Sequence, residues 1–375
     1  MCVKPIYLDY NATTPLASEV MDEMVPFLNE HFGNPSSGHF YGQTTKEAVI
    51  MARKRVAVLL ACSADEIIFT GGGTEANNLA IKGVAYALKE RGNHIITQVT
   101  EHPAVLNVCR FLETQGFEVT YLPVDEYGLV NINDVADSIS EETILITIMH
   151  ANNETGTLQP IQEIGQIARK KNVLFHTDAA QSVGKVPVHV ADLNVDLLTI
   201  AAHKLYGPKG VGALYVRQGV NLLSTTHGAG HERGLRPGTE NVAGTVALGK
   251  ACLLALEGMN ARVESQTELR DEFFTRLQQQ APGVLLNGHP QKRLPNTLNV
   301  SFPGVIAANK LAEIPQIAAS TGSACHQGEE TMSPVLSAMK QPLSRGLGAV
   351  RLSLGRETTR EEIKTAAELI VRNFL

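Results

Sequence analysis

No run of about 18 consecutive uncharged apolar residues occurs in this 375-residue chain, so a membrane-spanning helix is not expected. A surplus of positive charge is missing as well. Lys and Arg number 32 against 38 Asp and Glu, a formal net charge of −6. The chain therefore lacks the cations that would neutralise phosphates, and direct nucleic-acid binding is not expected, although a local basic patch is compatible with this balance. The opening Met1-Cys2-Val3-Lys4, followed by Pro5-Ile6-Tyr7-Leu8-Asp9, has no apolar h-region. A secretory signal is not expected, and the cytoplasm is the expected location. The five cysteines, Cys2, Cys62, Cys109, Cys252 and Cys325, include no C-x-x-C pair and no zinc-like spacing, which argues against a metal site and against a disulfide framework. No internal repeat or low-complexity tract is present.

What is there is an ordinary globular composition, 43% hydrophobic, on a chain long enough for a large domain and a smaller companion. Short runs rich in Ile, Val and Thr (66–70, 94–99, 118–122, 144–149, 173–177, 197–200 and 212–216) alternate with helix-length amphipathic segments such as 103–115 and 161–171. That alternation predicts an α/β fold with a mostly parallel sheet covered by helices. The short gap between the last two runs predicts that the final strand pairs antiparallel. A long helical region follows Val242 to about Gln280, with a break near Gly258. Strands are expected again at 298–302 and 350–354, and a last helix at 359–373, where Thr359 and Glu362 form a capping box.

Three segments carry groups suited to chemistry. Thr70-Gly71-Gly72-Gly73-Thr74-Glu75 follows one run and opens a helix, where free N–H groups and the helix dipole suit a phosphate. A turn with Thr74 as helix cap explains the same residues, and the Gly-Lys-Ser/Thr ending of a Walker loop is missing. Asp178 and Gln181, in His176-Thr177-Asp178-Ala179-Ala180-Gln181, stand at the end of an apolar strand. A carboxylate there can hold a protonated pyridine nitrogen or cap a helix; the residues leave both open. Lys204, in Ala202-His203-Lys204-Leu205, also follows a strand, where a desolvated amine can form an imine; a surface lysine is the alternative. Lys209, between Pro208 and Gly210, reads as a turn residue. Among the cysteines, Cys62, Cys109 and Cys252 lie in apolar runs as core thiols. Cys325 lies in Gly322-Ser323-Ala324-Cys325-His326, small-residue loop chemistry that suits a reactive group.

The order of these motifs resembles that of the pyridoxal-phosphate enzymes of aminotransferase-like fold (fold type I, class V), and most closely the cysteine desulfurases. The likeness runs nearly the full length. It includes Leu8-Asp9-Tyr10-Asn11-Ala12-Thr13-Thr14-Pro15, Gly33-Asn34-Pro35, Glu101-His102, Asn152-Asn153-Glu154-Thr155-Gly156, Arg236-Pro237-Gly238-Thr239-Glu240-Asn241, and Arg351-x-Ser353-x-Gly355-Arg356. It implies a large cofactor-binding domain at 15–255 and a smaller α+β domain made of 1–14 and 256–375, which carries the cysteine loop.

By the same resemblance, Lys204 is the Schiff-base lysine and Asp178 the partner of the pyridinium nitrogen. Gln181 and Asn153 match residues near the ring hydroxyl and substrate. Gly73, Thr74 and His203 match the phosphate cradle, and Thr239 a residue offered to the cofactor phosphate of a neighbouring subunit, which implies a homodimer. His102 matches the imidazole stacked on the cofactor, placed for proton transfer. Arg351, with help from Asn34, matches the grip on the substrate carboxylate, and Arg356 is structural. The implied reaction converts L-cysteine to L-alanine and passes sulfur, as a persulfide on Cys325, to an acceptor protein such as an iron–sulfur scaffold or a thiolation enzyme.

Two positions depart from the pattern. Ala201 stands where many relatives carry a phosphate-binding hydroxyl, and His326 follows Cys325 where a small hydroxyl residue is common. The Gly-x-Ala-Cys-His and Arg-Pro-Gly-Thr-Glu-Asn runs are similar to those of selenocysteine lyases, whereas the distance from Cys325 to Pro334-Val335-Leu336 is similar to the long-loop desulfurases. Selenocysteine lyase is the alternative reading. A class-V aminotransferase without use for Cys325, and a cofactor-bound scaffold without turnover, are further rivals; the intact lysine, aspartate, arginine and cysteine set speaks against the scaffold.

Overall fold

The runs of Ile, Val, Leu and Thr become the strands of one seven-stranded sheet. The computed structural model describes residues 4–322 and 331–375 in full, and within 323–330 only the backbone of 324–326 and 329–330. After a short strand β1 (Ile6–Tyr7), the sheet is built from β2 (Ile67–Thr70), β3 (His94–Gln98), β4 (Glu118–Leu122), β5 (Thr143–Thr147), β6 (Leu174–Asp178), β7 (Leu197–Ala201) and β8 (Gly212–Val216). These match the expected runs to within two residues at each end.

Across the sheet the order is β2-β8-β7-β6-β5-β3-β4. The pairs among β3 to β7 are parallel, while β8 runs antiparallel to both β7 and β2, as its short connection requires. One reversed strand between β7 and β2 leaves those two parallel. The C-terminal ends of β2, β3, β5, β6 and β7 therefore meet at one edge of the sheet, where ligand crevices form in folds of this kind.

Side-chain alternation divides the core between the two faces. Ile67, Phe69, Ile96, Ile146, Phe175, Leu198 and Tyr215 enter one core, and Ile68, Ile95, Leu145, Leu197 and Leu214 the other. Helices Gly73–Ala87 and Pro103–Glu113 contribute Leu79, Val84, Val105 and Leu112 to the second core. Helix Ile161–Lys170 covers the first with Ile161, Ile164 and Ala168, a stripe at helical spacing. Helix Phe40–Leu60 packs on the same side and was not legible in the sequence. Its buried stripe begins with Gly42 and Thr45 and continues through Val49, Ala52 and Val56, so small and polar residues blur the apolar face. The small residues have a purpose: a Cβ added at Gly249, in helix Val242–Leu256, would lie 2.6 Å from the Cα of Ala52.

The chain then breaks at Gly258, whose φ of 65° suits a residue without Cβ, before helix Met259–Gln280. Beyond it come β9 (Leu285–Leu286), β10 (Thr297–Ser301), β11 (Ile317–Ala318), the antiparallel pair β12 (Ala324–His326) and β13 (Glu329–Thr331), and β14 (Ala349–Ser353). β10 pairs antiparallel with both β9 and β14, and β1 pairs parallel with β11. A third core joins Leu8 to Phe273, Leu277, Leu298, Val350, Leu352, Ile363 and Ile370. The last helix, Arg360–Phe374, starts at the expected Thr359–Glu362 capping box. Val335, Leu336, Met339 and Ala349 pack instead into the first core of the large sheet. Among the described residues, no single helix is long and apolar enough to cross a membrane.

Candidate active site

The shared strand edge delivers a functional side chain from nearly every connection. After β2, Gly72 takes a φ of 142° and caps helix Gly73–Ala87 with no side-chain bond, and Gly73 and Thr74 of its first turn line the cavity. A Cβ on Gly73 would stand 3.3 Å from the Cβ of Ala201, which keeps this corner narrow.

After β3 comes Glu101-His102. His102 caps helix Pro103–Glu113, its Nδ1 accepting from the N–H of Ala104 at 3.1 Å. That bond places the proton of the neutral ring on Nε2. Its pKa is lowered, chiefly by burial and further by Lys204, with Asp178 opposing. After β5, Asn152 folds a tight turn by accepting from the N–H groups of Glu154 and Thr155. The turn aims the carbonyl of Asn153 at the Nη1 of Arg351, 3.0 Å away.

Asp178 is the last residue of β6. Its Oδ2 accepts from Asn77 Nδ2 at 2.7 Å and its Oδ1 from the N–H of Ala180 at 3.0 Å. Gln181 follows in the same turn, with Nε2 donating to the carbonyl of Asn11 at 2.9 Å. Past β7, a turn at Ala202–Lys204 presents two more residues. His203 meets Thr13 Oγ1 through Nδ1 at 3.2 Å, and its pKa falls to about 4 through burial and then through Lys204. The Nζ of Lys204 donates to the carbonyls of Asn11 and Ala12 at 2.6 and 2.8 Å. Burial, then the guanidinium of Arg351, brings its pKa down to about 8 against the pull of Asp178 and Asp9.

These side chains enclose one cavity of about 410 Å³, within the usual range of small-molecule sites, about 300–1,000 Å³. Its lining brings together nine of the residues singled out in the sequence: Gly73, Thr74, His102, Asn153, Asp178, Gln181, His203, Lys204 and Arg351. Asn34 is not among them; it is exposed, and its Oδ1 accepts from the N–H of Ser36. Thr239 is exposed and also outside the lining. The side chain of Cys325 lies outside the described residues. Of the other cysteines, Cys109 and Cys252 are buried and Cys62 half-buried, and burial pushes all three thiols up to about 12.

Sequence reasoning missed several participants. Asn77, just beyond the glycine loop, was given no role, although it follows Thr74 by about one helical turn and so shares its face. Asp9 and Asn11 entered only as motif letters. Asp9 Oδ1 holds the Nη2 of Arg351 at 2.7 Å, while Asn11 bonds to residues from both halves of the chain. Glu101 is buried with Oε1 accepting from the N–H of Met149 at 2.5 Å and from Gln98 Nε2 at 2.9 Å, while its Oε2 has no partner among the described residues. No local signal in the sequence shows these long-range partners.

The geometry fits a pyridine-ring phosphate. A narrow, glycine-lined helix N-terminus stands at one wall of the cavity, a carboxylate oriented by two donors at another, and a lysine of lowered pKa opens into the same space.

Comparison with known proteins gives the same answer. The family description "Aminotransferase class-V" matches residues 6–365. The chain belongs to that family, whose members are pyridoxal-phosphate enzymes, and it has their fold type I architecture. Within the family it is one of the cysteine desulfurases. It is 49% identical over 371 residues to "Cysteine desulfurase IscS" of Dictyoglomus turgidum, covering 98% of this chain and 94% of that one. Among solved structures, a "NIFS-LIKE PROTEIN" superposes with a TM-score of 0.92 at 37% identity, covering 98% of both chains. "SspA in complex with cysteine" superposes at 0.84 with 39% identity, covering 93% of this chain and 98% of that one.

Proposed function

We propose that this chain converts L-cysteine to L-alanine with pyridoxal 5'-phosphate held at Lys204, and carries the sulfur as a persulfide on Cys325 to an acceptor protein. Acceptors of the iron–sulfur assembly kind, in the cytoplasm, fit this reading. The observation that carries it is the single cavity in which Lys204, Asp178, Gln181, His102 and Arg351 converge. Relatives named for cysteine favour sulfur over selenium as the substrate atom.

Pyridoxal phosphate, when bound, supplies an electron sink for the bonds at the α-carbon of an amino acid. The N–H groups at Gly73 and Thr74, with His203, would hold its phosphate, and with Ala201 in place of a hydroxyl residue one phosphate contact is either absent or supplied by backbone. Asp178 would keep the proton on the ring nitrogen, its orientation fixed by Asn77 and Ala180. Gln181 and Asn153 would border the ring hydroxyl and the substrate. Arg351, which lines the cavity, would bind the α-carboxylate. Lys204, with a pKa of about 8, is neutral in enough molecules near neutral pH to take the α-proton as a general base. His102 has Nε2 left to exchange a proton with the substrate sulfur. Cys325, as thiolate, attacks that sulfur: an S–S bond forms, the Cβ–S bond breaks with its electron pair going to the carbon skeleton, and protonation there leaves alanine.

On this reading residues 15–255 bind the cofactor, and 1–14 with 256–375 form the small domain that brings the cysteine. A homodimer would place Thr239 at the cofactor phosphate of the other subunit. The exposed Leu28, Phe32, Phe40 and Tyr41, with Phe32 stacked on Tyr41 at 5.3 Å, support an interface between copies.

The test compares cysteine with selenocysteine, alanine being the product measured, in the wild type and in Cys325→Ala. Alanine from cysteine in the wild type, none from Cys325→Ala, and added sulfur by mass spectrometry on the Cys325 peptide are expected. Wild-type turnover of cysteine by Cys325→Ala would refute the persulfide route. Activity on selenocysteine alone in the wild type would make the protein a lyase.

A further inference from the structure

Behind the cavity lies a second lysine. Lys185 stands four residues after Gln181 in the turn that follows β6. Its Nζ donates to Gln181 Oε1 at 2.9 Å and to Asn11 Oδ1 at 3.1 Å. Among the described residues no carboxylate forms an ion pair with it. Burial, then the charges of Lys204 and Arg351, lowers its pKa well below the ordinary value for lysine. An amine in this position costs folding free energy, and an apolar side chain would avoid that cost. Its hydrogen bonds explain why a lysine suits the place.

Both acceptors are amide oxygens, and the opposite end of each amide is also engaged. Gln181 Nε2 donates to the carbonyl of Asn11, and Asn11 Nδ2 to the carbonyl of Asn153 at 3.2 Å and to Thr297 Oγ1 at 2.9 Å. Flipping either amide would set its oxygen against a carbonyl oxygen at the far end and remove the oxygen to which Lys185 donates. The flip is therefore blocked at both residues. Asn296 Nδ2, at 3.1 Å from Asn11 Oδ1, reinforces the same orientation. The backbone carbonyl of Asn11, fixed in this way, is also one of the two acceptors of Lys204 Nζ.

We propose that Lys185 is a positioning residue for the reaction: it locks the amides of Gln181 and Asn11, and so holds the Asn11 carbonyl where the free amine of Lys204 docks. The inference rests on Lys204 being the cofactor lysine. It places the control of that amine in a residue outside the lining of the main cavity.

The test uses Lys185→Met, Asn11→Ala, the pair together, and Lys204→Ala as reference. In Lys185→Met, kcat should fall about tenfold with KM changed less than about twofold, because the amine is misplaced while the carboxylate site is untouched. Growth of the visible absorbance band on adding pyridoxal phosphate to the apoprotein should slow by about the same factor. The double variant should lose no more than the worse single variant, since both changes act on one carbonyl. If Lys185→Met does not fold, Lys185→Gln, which keeps N–H donors, carries the same measurements and should retain more kcat than Asn11→Ala. Wild-type kcat and reloading rate in the Lys185 variants, or losses that multiply in the double variant, would overturn the inference. Activity surviving in Lys204→Ala would instead overturn the assignment of Lys204.

Discussion

The guanidinium of Arg351 is held by Asp9, Nη2 to Oδ1 at 2.7 Å, at the wall of the cavity that Lys204 enters. Asp9 comes from the N-terminal segment and Arg351 from β14, and the two segments meet again at the bridge between Asp9 and Ser353. The pair keeps a cation oriented in the site, its Nε buried and, among the described residues, without a partner. On the proposed function, a substrate carboxylate would join or displace Asp9 at a guanidinium that is already in place.

Replacing Arg351 with Ala should raise the KM for cysteine far more than it disturbs cofactor binding. A hydrogen bond to a charged group contributes about 1.5–3 kcal/mol, so a rise of about tenfold or more is expected. Arg351→Lys should not restore the wild-type value, because one ammonium cannot reproduce the planar fork. An unchanged KM in steady-state kinetics would move the carboxylate site elsewhere, Arg356 being the nearest rival.

Lys204→Ala should abolish turnover. Borohydride treatment of the loaded wild type should fix the cofactor on the peptide carrying Lys204, while the variant takes no label. In the apoprotein, amine-directed labelling of Lys204 should rise with pH through about 8, since the neutral amine reacts and its pKa is lowered from 10.5. A label found on Lys209 would refute the assignment.

The enzyme should be a dimer whose sites draw on both chains. Mixing Lys204→Ala with Thr239→Ala subunits creates hybrids in which one site recovers both groups. Activity should therefore reappear on mixing. A fully active monomer by light scattering would exclude the shared site.

Glu101 should make stability depend on pH. Burial, with a further push from Asp178, raises its pKa from 4.5 to about 8 against its bonds from Met149 and Gln98. Between those values the folded protein keeps a proton that the unfolded chain releases. This group's contribution is thus intact below about 4.5 and lost as the pH climbs to about 8. Glu101→Gln keeps Oε1 as acceptor and cannot ionise, so the fall in Tm between pH 5 and 8 should be shallower than in the wild type. Parallel Tm curves would show that Glu101 is not the buried acid responsible.

Local composition determined a great deal. Strands β2 to β8 were legible because each is a short apolar run bounded by turn residues, and the reversal of β8 followed from a connection too short for a crossover. The glycine loop, Asp178 and Lys204 stood out as candidates because each sits just past such a run, where a parallel sheet opens its crevice, whereas His102 came from the family resemblance alone. The tertiary structure alone decided what lies between distant segments: that Asp9 holds Arg351, that Asn77 turns Asp178, and that Lys185 and Lys204 share Asn11. These contacts join residues up to 342 positions apart, a separation that no helical or strand period can encode. They form only when the packed cores bring the N-terminal segment, the sheet edge and β14 to one place.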